Sequence, residues 1–412
     1  MKHTVSAHAV LGVVVGLGLI ACGSSGGGDD DSPRVTGDYV VAGDVGVIVG
    51  NGTTYPELTT APDLGSSTTG IGVAMNAQGD YVAAGDAAVI VGRGTTYTEL
   101  FGVPEVATAG TELGVDINDD GDYVVAGDRG VIVGRGTTFT ALFAVPDLAN
   151  VGSGVGVAIN AGGDYIVAGD LAVIVGRGST FTTLTGAPDL GNSNAHIGTA
   201  INDAGNYVAA GDVAVIVGKG ASFSTLVGAP DLGSSSASFG VAINGAGAWV
   251  AAGDAAMIVG QGATFSEPIA LLDLGSSRAG IAAAMNGDGD YVVAGDVTVV
   301  VGNGASATKL FAVPDLATSS NALAAAINRA GDYIVAGDSS VIVGRGTTFT
   351  ELFAVPDLGS SSSGLGAAIN DDGHYIAAGD VSAIVGAGTQ FTELFALPDL
   401  GSSSARVGVG MN

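Results

Sequence analysis

The sequence has one cysteine, one tryptophan and only 12 lysine and arginine residues among its 412 positions. A single cysteine excludes an internal disulfide framework. Against 40 aspartate and glutamate residues, the few basic residues leave a formal net charge of −28. This balance disfavours nucleic-acid binding, which needs clustered lysine and arginine, and it disfavours direct docking on an anionic membrane surface.

Beyond residue 21 the sequence also lacks long hydrophobic runs. Its apolar stretches of Val, Ile and Ala are only four to six residues long, which is the length of a β-strand and too short for a membrane-spanning helix. The 71 glycines follow no three-residue period, which excludes collagen and indicates many tight turns. A hydrophobic content of 47% argues against disorder despite the acidity.

The first residues differ from the rest of the chain. Residues 1–21 predict a signal peptide, with Lys2 followed by an apolar segment at 9–20. The ending Leu-Ile-Ala-Cys resembles the lipobox of bacterial lipoproteins. This resemblance implies that Cys22 carries a fatty-acyl anchor such as palmitate. By the same analogy, Gly23 in place of an aspartate after the cysteine favours the outer over the inner membrane. An ordinary secretory signal is the alternative. Residues 22–34, rich in Gly, Ser and Asp, predict a flexible tether.

An Ala-Gly-Asp triplet recurs nine times at a constant spacing of 42 residues. This period and its turn residues are typical of a four-stranded propeller blade. The fourth copy predicts strands A to D at 154–160, 164–169, 172–176 and 180–185. The first copy lacks strand A, and residues 406–412 supply one. The sequence therefore predicts an all-β, nine-bladed β-propeller over 35–412, closed by pairing of its N- and C-terminal strands. A β-solenoid or an incomplete ring is the alternative.

The repeat also resembles a known family. The segment AINDAGNYVAAGD at 200–212, followed by VIVGKG and GAPDLG, is similar to tandem repeats of exported bacterial proteins that share an Asn-x-x-Gly-x-x-x-Ala-Phe motif. The resemblance covers all nine units and implies a β-propeller. This sequence keeps Asn202 and Gly205, but it has Ala209 and Ala210 where that family has Ala-Phe.

The Asn-x-x-Gly step after strand A is first of all a turn signal, since Asn accepts a backbone hydrogen bond and Gly adopts positive φ. Residues 118–122 and 286–290 also resemble calcium loops, but they lack the length and the final glutamate of an EF-hand. Calcium is the one candidate cofactor that the sequence indicates, and its candidate ligands are Asn118, Asp120, Asp122, Asp288 and Asp290.

Strand direction predicts that the B–C turns and the D–A connectors share one face of the propeller. The Ala-Gly-Asp aspartates lie there together with one connector acid per copy, opposed by Arg129 and Arg278. One interpretation is a surface that attracts calcium or a basic partner; the other is a solvated, solubilising rim. The aspartates of this candidate site are Asp44, Asp86, Asp128, Asp170, Asp212, Asp254, Asp296, Asp338 and Asp380.

Each copy places a tyrosine, or Trp249, on strand B, and most place a second aromatic residue on strand D. One aromatic per blade at fixed register favours packing between blades over a sugar platform. The copy with Trp249 departs most from the repeat pattern, because it has Ala248, Gln261 and Pro268 where the other copies have other residues.

No catalytic constellation emerges from the repeat. The only histidines beyond the signal peptide, His196 and His374, belong to different copies, and each Gly-x-Gly closes a hairpin instead of opening a helix. We therefore predict a monomeric, lipid-anchored surface or periplasmic module that binds protein or glycan partners without catalysis. The alternative is a propeller hydrolase or lyase acting on polysaccharide, which predicts a unique acid pair in one copy.

Overall fold

A computed structural model describes residues 10–12 and 37–412, with gaps inside the second range. Cys22, Arg278 and the 22–34 tether therefore lie outside the described residues. The described part contains strands and turns but no helix, and so no helix that could span a membrane. The gaps are residues 59, 67, 69, 193, 235, 237, 271, 276–279, 318–322, 361–363, 395–399 and 401–405.

The chain forms a nine-bladed β-propeller, which confirms the predicted fold class and rules out the solenoid. Each blade is an antiparallel sheet with strand A innermost and strand D outermost. The strands are: β1 Val10–Gly12; blade 1, β36 Gly408–Met411, β2 Asp38–Ala42, β3 Val47–Asn51; blade 2, β4 Gly72–Met75, β5 Asp80–Ala84, β6 Val89–Arg93, β7 Thr96–Glu99; blade 3, β8 Gly114–Ile117, β9 Asp122–Ala126, β10 Val131–Arg135, β11 Thr138–Ala141; blade 4, β12 Gly156–Ile159, β13 Asp164–Ala168, β14 Val173–Arg177, β15 Thr180–Thr183; blade 5, β16 Gly198–Ile201, β17 Asn206–Ala210, β18 Val215–Lys219, β19 Ser222–Thr225; blade 6, β20 Gly240–Ile243, β21 Ala248–Ala252, β22 Met257–Gln261, β23 Thr264–Ser266; blade 7, β24 Ala282–Met285, β25 Asp290–Ala294, β26 Val299–Asn303, β27 Ser306–Lys309; blade 8, β28 Ala324–Ile327, β29 Asp332–Ala336, β30 Val341–Arg345, β31 Thr348–Glu351; blade 9, β32 Gly366–Ile369, β33 His374–Ala378, β34 Ala383–Ala387, β35 Gln390–Glu393.

The ring closes within blade 1. Strand β36 pairs antiparallel with β2, with Tyr39 opposite Met411 and Ala42 opposite Gly408. The Asp38 N–H donates to Oδ1 of Asn412 at 2.6 Å, and the Asn412 N–H donates to the Asp38 carbonyl at 2.9 Å. The predicted closure by strands from both chain ends is therefore confirmed.

Two blades have a shortened or interrupted outer strand because of proline. In blade 1 the position of strand D retains only the isolated bridges Ile48–Glu57 and Asn51–Thr54, since Pro56 has no N–H to donate to the ladder. In blade 6 strand β23 ends at Ser266, two residues before Pro268. At the opposite, inner edge of blade 6, β1 adds a fifth strand, with Val10 opposite Ile243.

A glycine on strand C makes room for each strand B aromatic. In blade 3 the register places Tyr123 opposite Gly134 and Gly134 opposite Phe139. A Cβ on Gly134 would lie 2.4 Å from the Tyr123 hydroxyl, so only glycine lets the ring lie across strand C. The strand B aromatics are at most 1% exposed, as the interpretation of inter-blade packing requires. Burial raises the pKa of Tyr123 and Tyr207 to about 12.

The Asn-x-x-Gly asparagine joins neighbouring blades as well as forming its own turn. Oδ1 of Asn118 accepts a hydrogen bond from the Asp122 N–H at 2.9 Å, which closes the turn. Its Nδ2 donates to the carbonyl of Asn160, the equivalent residue of the next blade, at 3.1 Å. The same inter-blade bond starts from Asn76, Asn160, Asn202, Asn328 and Asn370.

Candidate functional site

The propeller has two faces of different chemistry. The connector face carries the B–C turns and the D–A connectors, and the hairpin face carries the A–B and C–D turns. On the hairpin face, acids at the start of strand B pair with cations at the end of strand C. Nε of Arg93 lies 2.7 Å from Asp80, and Nε of Arg135 lies 2.6 Å from Asp122.

The Ala-Gly-Asp aspartates lie in the B–C turns, on the connector face, and most of them accept hydrogen bonds from the connector of their own blade. Oδ1 of Asp170 accepts from the Asn150 N–H at 2.8 Å, and Oδ2 accepts from the Asn150 side chain. Asp170 is fully buried. These bonds give the carboxylates a structural role whether or not the face also attracts a cation. Equivalent backbone bonds reach Asp86, Asp128, Asp212, Asp254 and Asp380, while Asp44, Asp296 and Asp338 occupy the same turn position.

The pKa of one such aspartate differs from its ordinary value. Burial raises the pKa of Asp254, while hydrogen bonds from Ser234 and the Asp254 backbone lower it and do not fully compensate. Ordinary hydrogen bonds to a charged group contribute about 1.5–3 kcal/mol each. The turn carboxylates are therefore positioned to hold each connector against its blade.

The calcium candidates lie in A–B turns on the hairpin face. Asp122 pairs with Arg135, whose Nη2 also lies 3.9 Å from Asp120. In blade 7, Asp290 accepts from Nδ2 of Asn286 at 3.1 Å, and the Asp288 N–H donates to Oδ1 of Asn286 at 3.1 Å. Within the described ranges, no three His, Cys, Asp or Glu side chains converge as a possible metal site.

A ring of equivalent residues surrounds the central channel at the connector face, just before strand A. Parallel bridges link Arg406 to Gly70, Gly70 to Glu112, Glu112 to Gly154, and Gly154 to His196. We call these residues, together with Ser238 and Gly364 at the same register position, the collar. Backbone hydrogen bonds between neighbouring blades reinforce it, such as Val155 N–H to the Glu112 carbonyl at 3.3 Å.

Three ionisable collar residues meet across the two glycines. Glu112 is 8% exposed; its Oε1 contacts Nη2 of Arg406 and its Oε2 lies 2.5 Å from Nδ1 of His196. A Cβ on Gly70 would lie 2.8 Å from Cγ of Glu112, and one on Gly154 would lie 2.6 Å from Nδ1 of His196. The glycines therefore allow side chains from blades 1, 3 and 5 to touch.

Two neighbouring side chains set the pKa of Glu112. Burial alone would raise this pKa, but the interactions and hydrogen bonds with Arg406 and His196 together outweigh burial and lower it. From the sequence, His196 was singled out but Glu112 and Arg406 were not. Aligning the copies at their 42-residue spacing would have revealed both, because the other collar positions are Gly, Ser or Ala.

The exposed large hydrophobic side chains of the described residues are all on the connector face. Four are phenylalanines, and each lies two residues after the last residue of a strand D. The set is Val45, Phe101, Phe143, Val151, Leu171, Val213, Val227, Val297, Phe311, Phe353 and Val381.

Comparisons with known proteins give distant structural similarity. No family model and no curated protein matches this chain. Among solved structures, a eukaryotic initiation factor is similar at 10% identity and TM-score 0.49, covering 87% of this chain and 95% of that one. Virginiamycin B lyase from Staphylococcus aureus is similar at 12% identity and TM-score 0.39, covering 66% and 93%. The extracellular domain of BT4673 from B. thetaiotaomicron is similar at 11% identity and TM-score 0.38, covering 77% and 45%. The strand topology by itself makes the chain a tandem-repeat β-propeller protein.

Proposed function

We propose that the protein is a binding module whose connector face docks a basic exported protein. The observation that carries this proposal is the confinement of the exposed large hydrophobic residues to that face. Scattered surface hydrophobics are ordinary, but a concentration on one face is typical of an interaction surface.

Phenylalanines at the rim supply the apolar part of this surface. Phe101, Phe143, Phe311 and Phe353 are 80%, 86%, 84% and 78% exposed. Burying one such side chain against a partner contributes about 1.5–3 kcal/mol. Aromatic anchors surrounded by polar residues are typical of protein interfaces.

Charge complementarity selects a basic partner. Each exposed phenylalanine is followed four residues later by an exposed acid: Glu105, Asp147, Asp315 or Asp357. Glu105 is paired with Arg129. On the connector face Asp147, Asp315 and Asp357 disfavour an anionic membrane, whereas lysine and arginine around an apolar patch would match them. The net charge of −28 adds long-range attraction for such a partner.

The proposal includes a lipid anchor at Cys22, which rests on the lipobox resemblance alone and implies that residues 1–21, including β1, are removed from the mature protein. Asp38 begins strand B, whose first residue is at the hairpin face. A tether that joins the propeller there leaves the connector face turned away from the anchor. Thirteen extended residues reach about 45 Å, so the module can stand clear of the membrane.

A capture experiment tests the docking surface. The biotinylated protein is incubated with the organism's exported proteins, and each captured protein is then purified and titrated against three forms. We expect a basic protein that binds the wild type and a variant with Thr96, Thr138, Thr264 and Thr348 changed to Ser on the hairpin face. Binding should weaken at least tenfold when Phe101, Phe143, Phe311 and Phe353 are changed to Ser. Equal binding by both variants, or capture of only lipid vesicles or polysaccharide, contradicts the proposal.

The collar cluster is the observation that favours the alternative, catalysis on polysaccharide, because it breaks the repeat symmetry. However, both oxygens of Glu112 contact its own protein partners, Arg406 and His196. We therefore propose a structural role for this cluster. Polysaccharide cleavage that disappears in Glu112→Gln would support the enzyme instead.

A further inference from the structure

The hairpin face contains clefts between neighbouring blades at equivalent positions. The cleft between blades 2 and 3 has a volume of about 380 Å³, that between blades 4 and 5 about 370 Å³, and that between blades 5 and 6 about 460 Å³. Each has a strand D aromatic from one blade on one side and the A–B and C–D turns of the next blade on the other. Such volumes lie within the ~300–1,000 Å³ range of small-molecule sites.

The cleft between blades 2 and 3 shows the ordinary charge arrangement. Its lining includes Asp80 and Arg93, which face each other across strands B and C and form a bidentate pair at 2.7 Å. Asp120 and Arg135 line its other side, 3.9 Å apart. Arg93 and Arg135 each have an acid beside them, so neither guanidinium is open to pair with an anionic ligand.

The cleft between blades 5 and 6 lacks those acids. Asn206 stands at the register position of Asp80, Ala246 at that of Asp120 and Gln261 at that of Arg135. Lys219 is the only charged residue among the described lining residues. Lys219 is exposed, lies opposite Asn206 across the strands, and forms no ion pair with any described residue. It also lines the neighbouring cleft between blades 4 and 5, which contains Asp164 and Arg177.

The rest of this lining is aromatic and neutral polar. Phe223 of blade 5 is half-buried, and Trp249 of blade 6 is buried with its Nε1 donating to the Gly262 carbonyl at 3.0 Å. Ser222, Ser224 and the amides of Asn206 and Gln261 surround the aromatic wall. An aromatic face beside amides and hydroxyls suits a sugar ring, which is apolar on its C–H faces and polar at its edge.

We propose that this cleft binds a uronate unit of an anionic polysaccharide. Lys219 pairs with the sugar carboxylate, Phe223 packs against a C–H face, and Asn206 and Gln261 bond the hydroxyls. No acid lines this cleft to compete for the Lys219 ammonium, so the cleft favours an anionic over a neutral sugar even against the long-range repulsion of the net charge of −28. On this proposal, the residues by which this cleft departs from the repeat, Asn206, Ala246 and Gln261, make it a binding site.

Isothermal titration of the full chain with tri-galacturonate tests this site, and neutral galactotriose is the comparison ligand. We expect the neutral sugar to bind at least tenfold more weakly. Lys219→Gln should weaken tri-galacturonate binding at least tenfold. Asn206→Asp should do the same while keeping Lys219, because it recreates the cross-strand pair of blades 2–4. Arg345→Gln, in the paired position of blade 8, is the matched control and should bind like the wild type.

Three results would overturn the proposal: no heat with tri-galacturonate, full binding by Lys219→Gln, or equal affinity for the neutral sugar. Each variant is checked for an unchanged thermal unfolding midpoint, and Lys219→Met serves as a second variant if Lys219→Gln unfolds early. The phenylalanine variant of the connector face should bind tri-galacturonate normally, so this test and that of the protein partner fail independently.

Discussion

Replacing Glu112 with glutamine removes the carboxylate that joins blades 1, 3 and 5 at the collar. Arg406 then keeps its place without a counter-charge, and His196 loses the carboxylate beside its Nδ1; the Arg406 and His196 side chains are only 20% and 14% exposed. Removing one partner of a buried ion pair costs about 3–5 kcal/mol. Because Arg406 retains partial contact with water, we expect a loss of about 2–4 kcal/mol in the free energy of unfolding.

The pH dependence of the unfolding free energy distinguishes the loss of the Glu112 charge from a change in packing. The pKa of Glu112 is lowered in the folded protein, so its ionised form stabilises the fold fully above its unfolded value of about 4.3. This contribution is lost as the pH falls through the lower folded pKa. Urea unfolding should therefore show a difference between wild type and Glu112→Gln at pH 7 that shrinks towards pH 3.

Two further variants test whether an unpaired buried charge causes the loss of stability in Glu112→Gln. Glu267→Gln, which changes an exposed acid, should leave the unfolding free energy within about 0.5 kcal/mol. Changing Glu112, His196 and Arg406 together to glycine, the residue of several other collar positions, should recover most of the stability lost in Glu112→Gln, because no buried charge remains. A triple variant as unstable as Glu112→Gln, or a difference that grows at pH 3, refutes the reasoning.

Three other predictions concern the repeat itself. Gly134→Ala should lower the unfolding free energy by about 2–4 kcal/mol, because its Cβ would lie 2.4 Å from the Tyr123 hydroxyl; urea unfolding measures it. Ala354→Gly should raise it by about 0.5–1 kcal/mol in the same assay, since Ala354 has φ of 60°. Deleting 406–412 should leave blade 1 with an unpaired strand edge and produce oligomers by light scattering; a fully monomeric product of unchanged stability would contradict the closure.

The fold could be predicted because each blade repeats one set of local signals. The strands of the fourth copy begin and end within two residues of the predicted bounds, and the missing strand A of the first copy indicated how the ring closes. The interruption in blade 1 follows from Pro56, which was visible in the sequence as well.

The collar and the inter-blade asparagine bonds could not be predicted in the same way, because they form between copies. A turn role for Asn118 follows from its own neighbours, whereas its bond to Asn160 depends on the lateral contact of two blades. Glu112, His196 and Arg406 lie in different copies and meet only because the glycines between them carry no side chain. The use of Asp170 as an acceptor for Asn150, twenty residues earlier, similarly required the path of the connector.

Because β2 pairs with β36, the ring can close only when the last strand of the propeller is available. During synthesis β2 is made early, whereas its partner at 408–411 is made late. In the interval, the open edge of β2 can accept the equivalent of β36 from another molecule, which would yield interlinked dimers through exchange of one strand. Folding at high protein concentration should therefore favour swapped species that dilute refolding does not produce.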